Sequence, residues 1–116
     1  MLVRALQLRQ LAQLSRRRFL ARLAQHVRQR FPGKTSALPA VALEERLRAS
    51  IDQAASYGIR IEDDVRRFAE YQVMFGWDFP TTAAHEPMHR ILRRAGLAGT
   101  DKMNELDDYV TFSRRA

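Results

Sequence analysis

The chain is 116 residues long and contains 46% hydrophobic and 28% charged residues, a composition that is typical of one folded globular domain and excludes a disordered or fibrous protein. It contains no cysteine, which excludes disulfides, thiol catalysis and thiolate metal sites and leaves His, Asp and Glu as candidate ligands. The formal net charge of +7 comes from the N-terminus: residues 1–34 hold nine basic and no acidic side chains, whereas residues 35–116 hold eleven basic and thirteen acidic ones.

A long basic amphipathic helix is predicted at the N-terminus. Between Val3 and Phe31 the sequence contains no proline or glycine, and apolar residues recur at spacings of three and four, the period of a helix with one apolar face. Pro32-Gly33 ends this helix, and the segment GKTSALP is predicted to be a connector. The predicted apolar stripe consists of Leu8, Leu11, Leu14, Phe19, Leu23, Val27 and Phe31.

Four shorter helices are predicted in the remainder. The first spans Ala40 to Tyr57 and is ended by Gly58 as a left-handed cap. The second spans Glu62 to Phe75 and begins with three acidic residues. The third spans Glu86 to Ala95, and the fourth is a last segment with Thr100 as its N-cap. No segment alternates with the period of two that a strand requires. The sequence therefore predicts an all-α fold, a single compact domain of about five helices over residues 1–116, with a basic helix at 1–34 and a helical array at 35–116.

The chain is expected to be cytoplasmic and to have no membrane partner. Its first ten residues, MLVRALQLRQ, lack the uninterrupted apolar core of a signal peptide. No stretch approaches the roughly 20 apolar residues of a membrane span. None of these patterns predicts an oligomeric state.

The segment HEPMH, His85 to His89, has the H-E-x-x-H spacing of zinc hydrolases. That chemistry needs both histidines on one continuous helix, so that the two imidazoles meet one metal ion. Pro87 favours the first turn of a helix and biases the residue before it away from helical angles, which places His85 at or before the helix start. His85 and His89 are therefore rejected as metal ligands, and a zinc hydrolase is kept only as an alternative hypothesis.

The segment SRRRFLARLAQHVRQRF, Ser15 to Phe31, predicts a cationic helix face. Such a face can contact phosphates, a membrane surface or an acidic protein, or it can be solvated without a partner. A basic nucleic-acid-binding protein is thus an alternative, although the sequence has no helix-turn-helix, zinc finger or aromatic stacking set. Arg16, Arg17 and Arg18 are predicted to contact a partner, because the guanidinium group suits carboxylate pairing at interfaces.

Large apolar side chains are crowded into the segment EYQVMFGWDF, Glu70 to Phe79, at a helix end and the loop after it. They cannot all share one helix face, so each is either part of the core or exposed as an interface anchor. Trp77 and Phe79 are predicted to contact a partner on the second interpretation, and the first interpretation stays open.

No catalytic residue or cofactor is predicted. The serines Ser15, Ser36, Ser50, Ser56 and Ser113 have no identifiable base partner, and the helix dipole explains the acidic residues at helix starts. A glycine loop that could hold a phosphate is also missing. The chain is therefore expected to be non-enzymatic.

Three stretches of the sequence, spread between residues 16 and 106, resemble a known family: RRRFLARLAQHVRQRFP, IDQAASYGIRIEDDVRRFAEYQVMFGWDF and ILRRAGLAGTDKMNEL. The family is that of small accessory proteins of bacterial type VI secretion, encoded beside effectors with PAAR tips and beside effector adaptor chaperones. The sequence departs from it at Ile61, where Ser or Thr is more common, and in AAHEPMH. The distinctive matches are Phe31-Pro32; Ala55, Tyr57, Gly58 and Ile59; Asp64-Val65; Phe75-Gly76 with Asp78-Phe79; and Gly99, Thr100, Lys102 and Met103.

The resemblance implies a non-enzymatic helper. Such a co-chaperone would bind an effector adaptor chaperone, or a type VI effector itself, and would assist the loading of the effector onto the secretion spike. Because the matched residues are mostly turns and caps, the resemblance implies a shared helical fold more directly than a shared site.

Overall fold

All regular secondary structure in the chain is helical. The computed structural model describes residues 2–115 and the side chains of residues 7, 9–11 and 13–113, and no strand occurs among them. In chain order the elements are α1 (Leu2–Arg30), α2 (Pro32–Thr35), α3 (Ala40–Ser56), α4 (Glu62–Phe75), a 3₁₀ turn (Ala83–His85), α5 (Glu86–Leu92) and α6 (Gly99–Arg115). The all-α prediction is confirmed, with six helices where about five were predicted. Within residues 2–115 no helix has the length and apolar content of a membrane span.

The additional helix, α2, lies in the segment that was predicted to be a connector. It follows α1 after one residue, Phe31, and has Pro32 in its first turn, the position where proline is tolerated. Arg28 of α1 donates hydrogen bonds to the carbonyl oxygens of Thr35 at 3.1 Å and Leu38 at 2.8 Å. These bonds hold the whole connector against the end of α1.

Thr100 does not cap α6, which corrects the sequence prediction. The helix begins at Gly99, and the amide of Lys102 donates to the carbonyl oxygen of Ala98, so Ala98 occupies the cap position. The Thr100 hydroxyl instead donates to the carboxylate of Asp64 on α4. A capping bond and a bond to another helix compete for the same side chain, and tertiary packing decides between them.

Helix α4 is the centre of the core. It contacts α1, α2, α3 and α6. Seven of its fourteen residues are buried, so it is covered on more than one side rather than along a single stripe. One apolar cluster surrounds α4 with Ala54, Ile59, Phe79, Met88, Leu92, Met103 and Leu106. A second cluster joins Leu20, Leu23 and Val27 of α1 to Leu43 and Leu47 of α3 and to Ala69 and Val73 of α4.

The turn after α3 is where α6 meets the body of the protein. Gly58 has a positive φ of 79°, and the amides of Gly58 and Ile59 donate back to carbonyl oxygens of α3, the hydrogen-bond pattern of a Schellman cap. Gly99 comes so close that a Cβ atom there would lie 2.5 Å from the Gly58 oxygen. Lys102 is buried, and its ammonium group donates to the carbonyl oxygen of Tyr57 at 2.8 Å. The predicted cap at Gly58 is confirmed.

A polar network joins α4 to α6. The Arg67 guanidinium donates to the carboxylates of Asp64 at 2.6 Å and Asp107 at 2.8 Å, and the hydroxyls of Thr100 and Tyr71 donate to the same two carboxylates. Burial alone would raise the pKa of Asp64, but hydrogen bonds from Thr100 and Arg67 and the charge of Arg67 outweigh it and hold the pKa below its ordinary value. The folded state therefore favours the ionised carboxylate.

We predict that Asp64→Asn lowers the free energy of unfolding at neutral pH by about 1–3 kcal/mol, the range for losing hydrogen bonds to a charged group. Because the pKa of Asp64 is lower in the folded state than in the unfolded chain, its contribution is complete above about pH 5 and is lost as the pH falls through the folded-state pKa. The difference in unfolding free energy between wild type and variant, measured by urea denaturation, should therefore narrow towards acid pH.

The control for this experiment is Asp63→Asn. Asp63 is the neighbouring acid in the same helix turn, but its carboxylate is exposed, so its removal should change stability little at any pH. A deficit of Asp64→Asn that stays constant into the acid range, or that is no larger than that of Asp63→Asn, contradicts this account of the network.

Candidate functional site

Among the described side chains in the N-terminal part of α1, none is buried against the rest of the chain. Every described side chain from Gln7 to Arg18 is exposed, whereas Phe19 is half-buried and Leu20 is 7% exposed. We call residues 7–18 the arm. The C-terminal half of α1 packs on α3 and α4, so a single helix is part core and part free surface.

The arm exposes two leucines on the side of α1 that faces away from the core. Leu11 is 63% exposed and Leu14 is 44% exposed. Because an α-helix turns about 100° per residue, Leu11 lies about 180° around α1 from the buried Leu20. The single apolar stripe predicted from the sequence is therefore divided: Leu23 and its neighbours enter the core, whereas Leu11 and Leu14 face solvent. The side chain of Leu8 lies outside the described residues.

Four exposed residues of the arm share one face. Gln7, Leu11, Leu14 and Arg18 are separated by four, three and four positions, the spacing at which side chains form the seam between two packed helices. The arm contains four arginines and no acidic residue. Arg18 lies in the seam and Arg17 on its flank, whereas Arg9 and Arg16 lie on the opposite side of α1.

The three arginines predicted to contact a partner lie at the base of the arm, and all are exposed. Arg16 forms an ion pair with Asp52 of α3, and a pair between two exposed groups contributes little to stability. No ion pair of Arg17 or Arg18 occurs among the described side chains. Their guanidinium groups are thus available to a partner, and the predicted contact stays a prediction.

Phe79 is a core residue, so the prediction that it contacts a partner from an exposed loop is wrong. Its side chain is fully buried, with its ring centroid 5.7 Å from that of Phe75, 6.0 Å from that of Tyr71 and 6.1 Å from that of Phe68. The buried amide of Gln72 donates to the Phe79 carbonyl oxygen at 2.9 Å and fixes the loop. The physical reason is that this hydrogen bond and the three rings turn the loop inwards, which the loop sequence alone does not show.

Trp77 is half-buried and packs against the cluster that joins α1, α3 and α4. It is neither fully enclosed nor free in solvent. The core interpretation therefore accounts for most of its side chain, and the expectation of a loop-exposed Trp77 is corrected to that extent. A role for its exposed edge in partner contact stays a prediction.

The two histidines of HEPMH do not share a helix. His85 precedes α5, which has Pro87 in its first turn, so the predicted position of His85 at the helix start is confirmed. The Nδ1 atom of His85 is 2.7 Å from the hydroxyl of Thr82, and the Nε2 atom of His89 is 3.2 Å from the hydroxyl of Tyr57. Within the part of the chain that the structure describes, no three His, Asp or Glu side chains cluster as metal ligands would.

The arm is the surface that these observations favour as the functional site. The chain matches no protein-family model, no curated protein and no solved structure. Functional inference therefore rests on the residues themselves. The sequence pattern placed Leu11 and Leu14 on the apolar stripe of the first helix and did not single them out as candidate contact residues, although their rotation away from Leu20 follows from the spacing.

We predict that Trp77→Ala lowers the free energy of unfolding by about 1–3 kcal/mol, less than the roughly 3–5 kcal/mol typical of a fully buried tryptophan, because its side chain is only half-buried. The measurement is thermal denaturation beside that of Phe112→Ala, a control that truncates a ring with 71% of its surface exposed. Wild-type stability of Trp77→Ala combined with lost partner binding would restore the interpretation of Trp77 as an anchor.

Proposed function

We propose that this protein is a non-enzymatic adaptor that binds a protein partner through the arm. The observation that carries the proposal is the exposure of Leu11 and Leu14 on a helix segment whose described side chains are all exposed. Burying one leucine side chain gains about 1.5–3 kcal/mol. A partner that covers both leucines therefore has a substantial source of affinity.

The shape of the arm suits one helix of the partner. Residues 7–18 extend over about 18 Å, more than three helical turns. A second helix lying along the seam would bury Leu11 and Leu14 at its centre and bring its own flanks beside the arginines. Since the arm has no acidic residue, the complementary helix carries acidic side chains beside its apolar seam.

Nucleic acid is the second candidate partner, because the exposed arginines are as suitable for phosphates as for carboxylates. A phosphate backbone would contact Arg16, Arg17 and Arg18 but would leave Leu11 and Leu14 in water. The leucines at seam spacing therefore favour a protein. The two candidates differ in a titration with DNA and RNA at low salt, where the adaptor should bind neither.

For the identity of the partner we propose the co-chaperone role that the resemblance to type VI accessory proteins implies. The partner would be an effector adaptor chaperone or the effector itself. Gly58, Gly99 and Lys102, three of the matched residues, form a turn and the contact of α6 with it, which supports a shared scaffold. The matched stretches begin at Arg16, so most of the arm lies outside them and is available for recognition of a particular partner.

A non-enzymatic role is supported because hydroxyl and carboxylate groups that could act in catalysis are hydrogen-bonded or ion-paired to other parts of the protein. The hydroxyl of Ser50 is buried and donates to the side-chain oxygen of Gln72 and to the carbonyl oxygen of Arg46. The carboxylates of Asp64 and Asp107 are held by Arg67. These polar groups join helices to one another.

We predict that the double substitution Leu11→Ala and Leu14→Ala raises the Kd for the proposed partner, an effector adaptor chaperone, by at least about tenfold, which corresponds to about 1.4 kcal/mol. The arm should stay helical, because alanine has the highest helix propensity. Co-purification followed by isothermal titration calorimetry measures the effect, and circular dichroism checks the helix content.

The matched control is Val41→Ala, which truncates an apolar side chain on α3 that is 69% exposed. It should leave binding unchanged. Wild-type affinity of the double leucine variant, or equal weakening by Val41→Ala, contradicts the proposal. Binding to DNA or RNA at low salt instead of to the chaperone supports the nucleic-acid alternative.

A further inference from the structure

A cationic groove lies where the arm joins the body of the protein. It runs between α1 and α3, has a volume of about 310 Å³, and is lined by Gln13, Arg16, Arg17, Leu20 and Arg48. Leu20, with 7% of its surface exposed, forms an apolar floor, whereas the arginine side chains are exposed. The groove therefore combines an apolar base with guanidinium groups on both sides, Arg16 and Arg17 from α1 and Arg48 from α3.

The positive charge of this groove is only partly neutralised. Arg16 is paired with Asp52, but no ion pair of Arg17 or Arg48 occurs among the side chains that the structure describes. Two unpaired guanidinium groups on neighbouring helices can each form a two-pronged contact with a carboxylate. Such a pair of donors is complementary to an acidic ligand.

Resting on the proposed function, we propose that this groove binds acidic side chains of the partner helix, with Arg17 and Arg48 as the carboxylate-binding residues. Arg17 is three positions from Leu14 on α1, and residues at that spacing are neighbours on a helix surface. One partner helix can therefore place an apolar side chain on Leu14 and carboxylates in the groove, whereas Leu11, about 180° around α1 from Leu20, faces away from the groove. Arg48 extends the contact surface from the arm to α3.

The ligand is a protein segment rather than a nucleic acid because the basic groups enclose apolar surface. Leu14 beside the groove is 44% exposed and would gain nothing from a phosphate backbone, whereas Leu20 at the floor is already covered by the protein. An amphipathic acidic helix satisfies both kinds of surface, since leucines and carboxylates alternate along one of its faces.

The test measures binding of a synthetic amphipathic peptide with leucines at heptad positions a and d and glutamates at e and g. Its counterpart with lysines in place of the glutamates is the control ligand. Fluorescence anisotropy of the labelled peptide at low salt gives Kd for the full-length chain and for Arg48→Glu. We expect Arg48→Glu to raise Kd by about tenfold, with a smaller difference at high salt because screening weakens exposed charge pairs.

The matched control protein is Arg46→Glu. It carries the same charge change on the same helix, but Arg46 lies about 200° around α3 from Arg48 and is exposed without an ion pair among the described side chains. Kd should be nearly unchanged for this variant. Both substitutions are on exposed positions, and thermal denaturation verifies that both proteins are folded.

Equal weakening by Arg46→Glu and Arg48→Glu overturns the inference, because net charge rather than the groove would then govern binding. The inference is also overturned if the wild-type protein does not bind the acidic peptide, if it binds the lysine peptide equally well, or if duplex DNA displaces the peptide in an Arg48-dependent manner. The adaptor proposal is judged separately, by the chaperone and the leucine variants. A chaperone whose affinity depends on Leu11 and Leu14 but not on Arg48 leaves that proposal intact and this inference wrong.

Discussion

The fold depends on one constraint, that α4 is buried while carrying polar side chains into the core. Asp64 and Gln72 are both nearly inaccessible to solvent, and an unpaired buried polar group is costly. Arg67 and Thr100 satisfy Asp64, which fixes α6. Gln72 bonds to α3 and to the loop that follows α4. These requirements set which helices can surround α4, and apolar packing then fills the remaining space.

The arm is exposed because α1 is longer than the helices that pack against it. At 1.5 Å per residue, α1 with its 29 residues is about 44 Å long, whereas α3 with 17 is about 26 Å and α4 with 14 is about 21 Å. Helices of the length of α3 and α4 can cover only part of α1. The part they cover contains Leu20, Leu23 and Val27, and the described side chains of residues 7–18 stay exposed. An exposed helix face thus results from a mismatch in helix length.

The sequence correctly predicted helix ends where residues close in the sequence determine them. The three acids in the first turn of α4 and the glycine at position 58 define helix ends through the backbone dipole and a left-handed cap, and both are found where expected. Tertiary determinants were not visible in the same way. The hydroxyl of Thr100 bonds to another helix, and the ring of Phe79 is drawn inwards by Gln72 and three neighbouring aromatic rings.

The sequence predicted the arginines of the candidate site but not its exposed leucines. Arg16, Arg17 and Arg18 are conspicuous because no acid accompanies them, and they are exposed. The exposure of Leu11 and Leu14 was not predicted, because spacings of three and four were taken to keep one apolar face over the whole of α1. Between Leu11 and Leu20, which are nine residues apart, the net rotation around the helix axis is about 180°. The exposed leucines therefore do not lie on the face of α1 that enters the core. Identifying them requires knowing where the body of the protein ends.

The central claim is that the arm is the surface a protein partner covers. Amide hydrogen exchange, followed by mass spectrometry with and without the effector adaptor chaperone, tests it most directly, because it maps protection along the whole backbone. Protection concentrated in residues 7–18, with smaller changes around Arg48 on α3, is the predicted result. Unchanged exchange in the arm together with protection around Trp77 or on α6 would contradict the account.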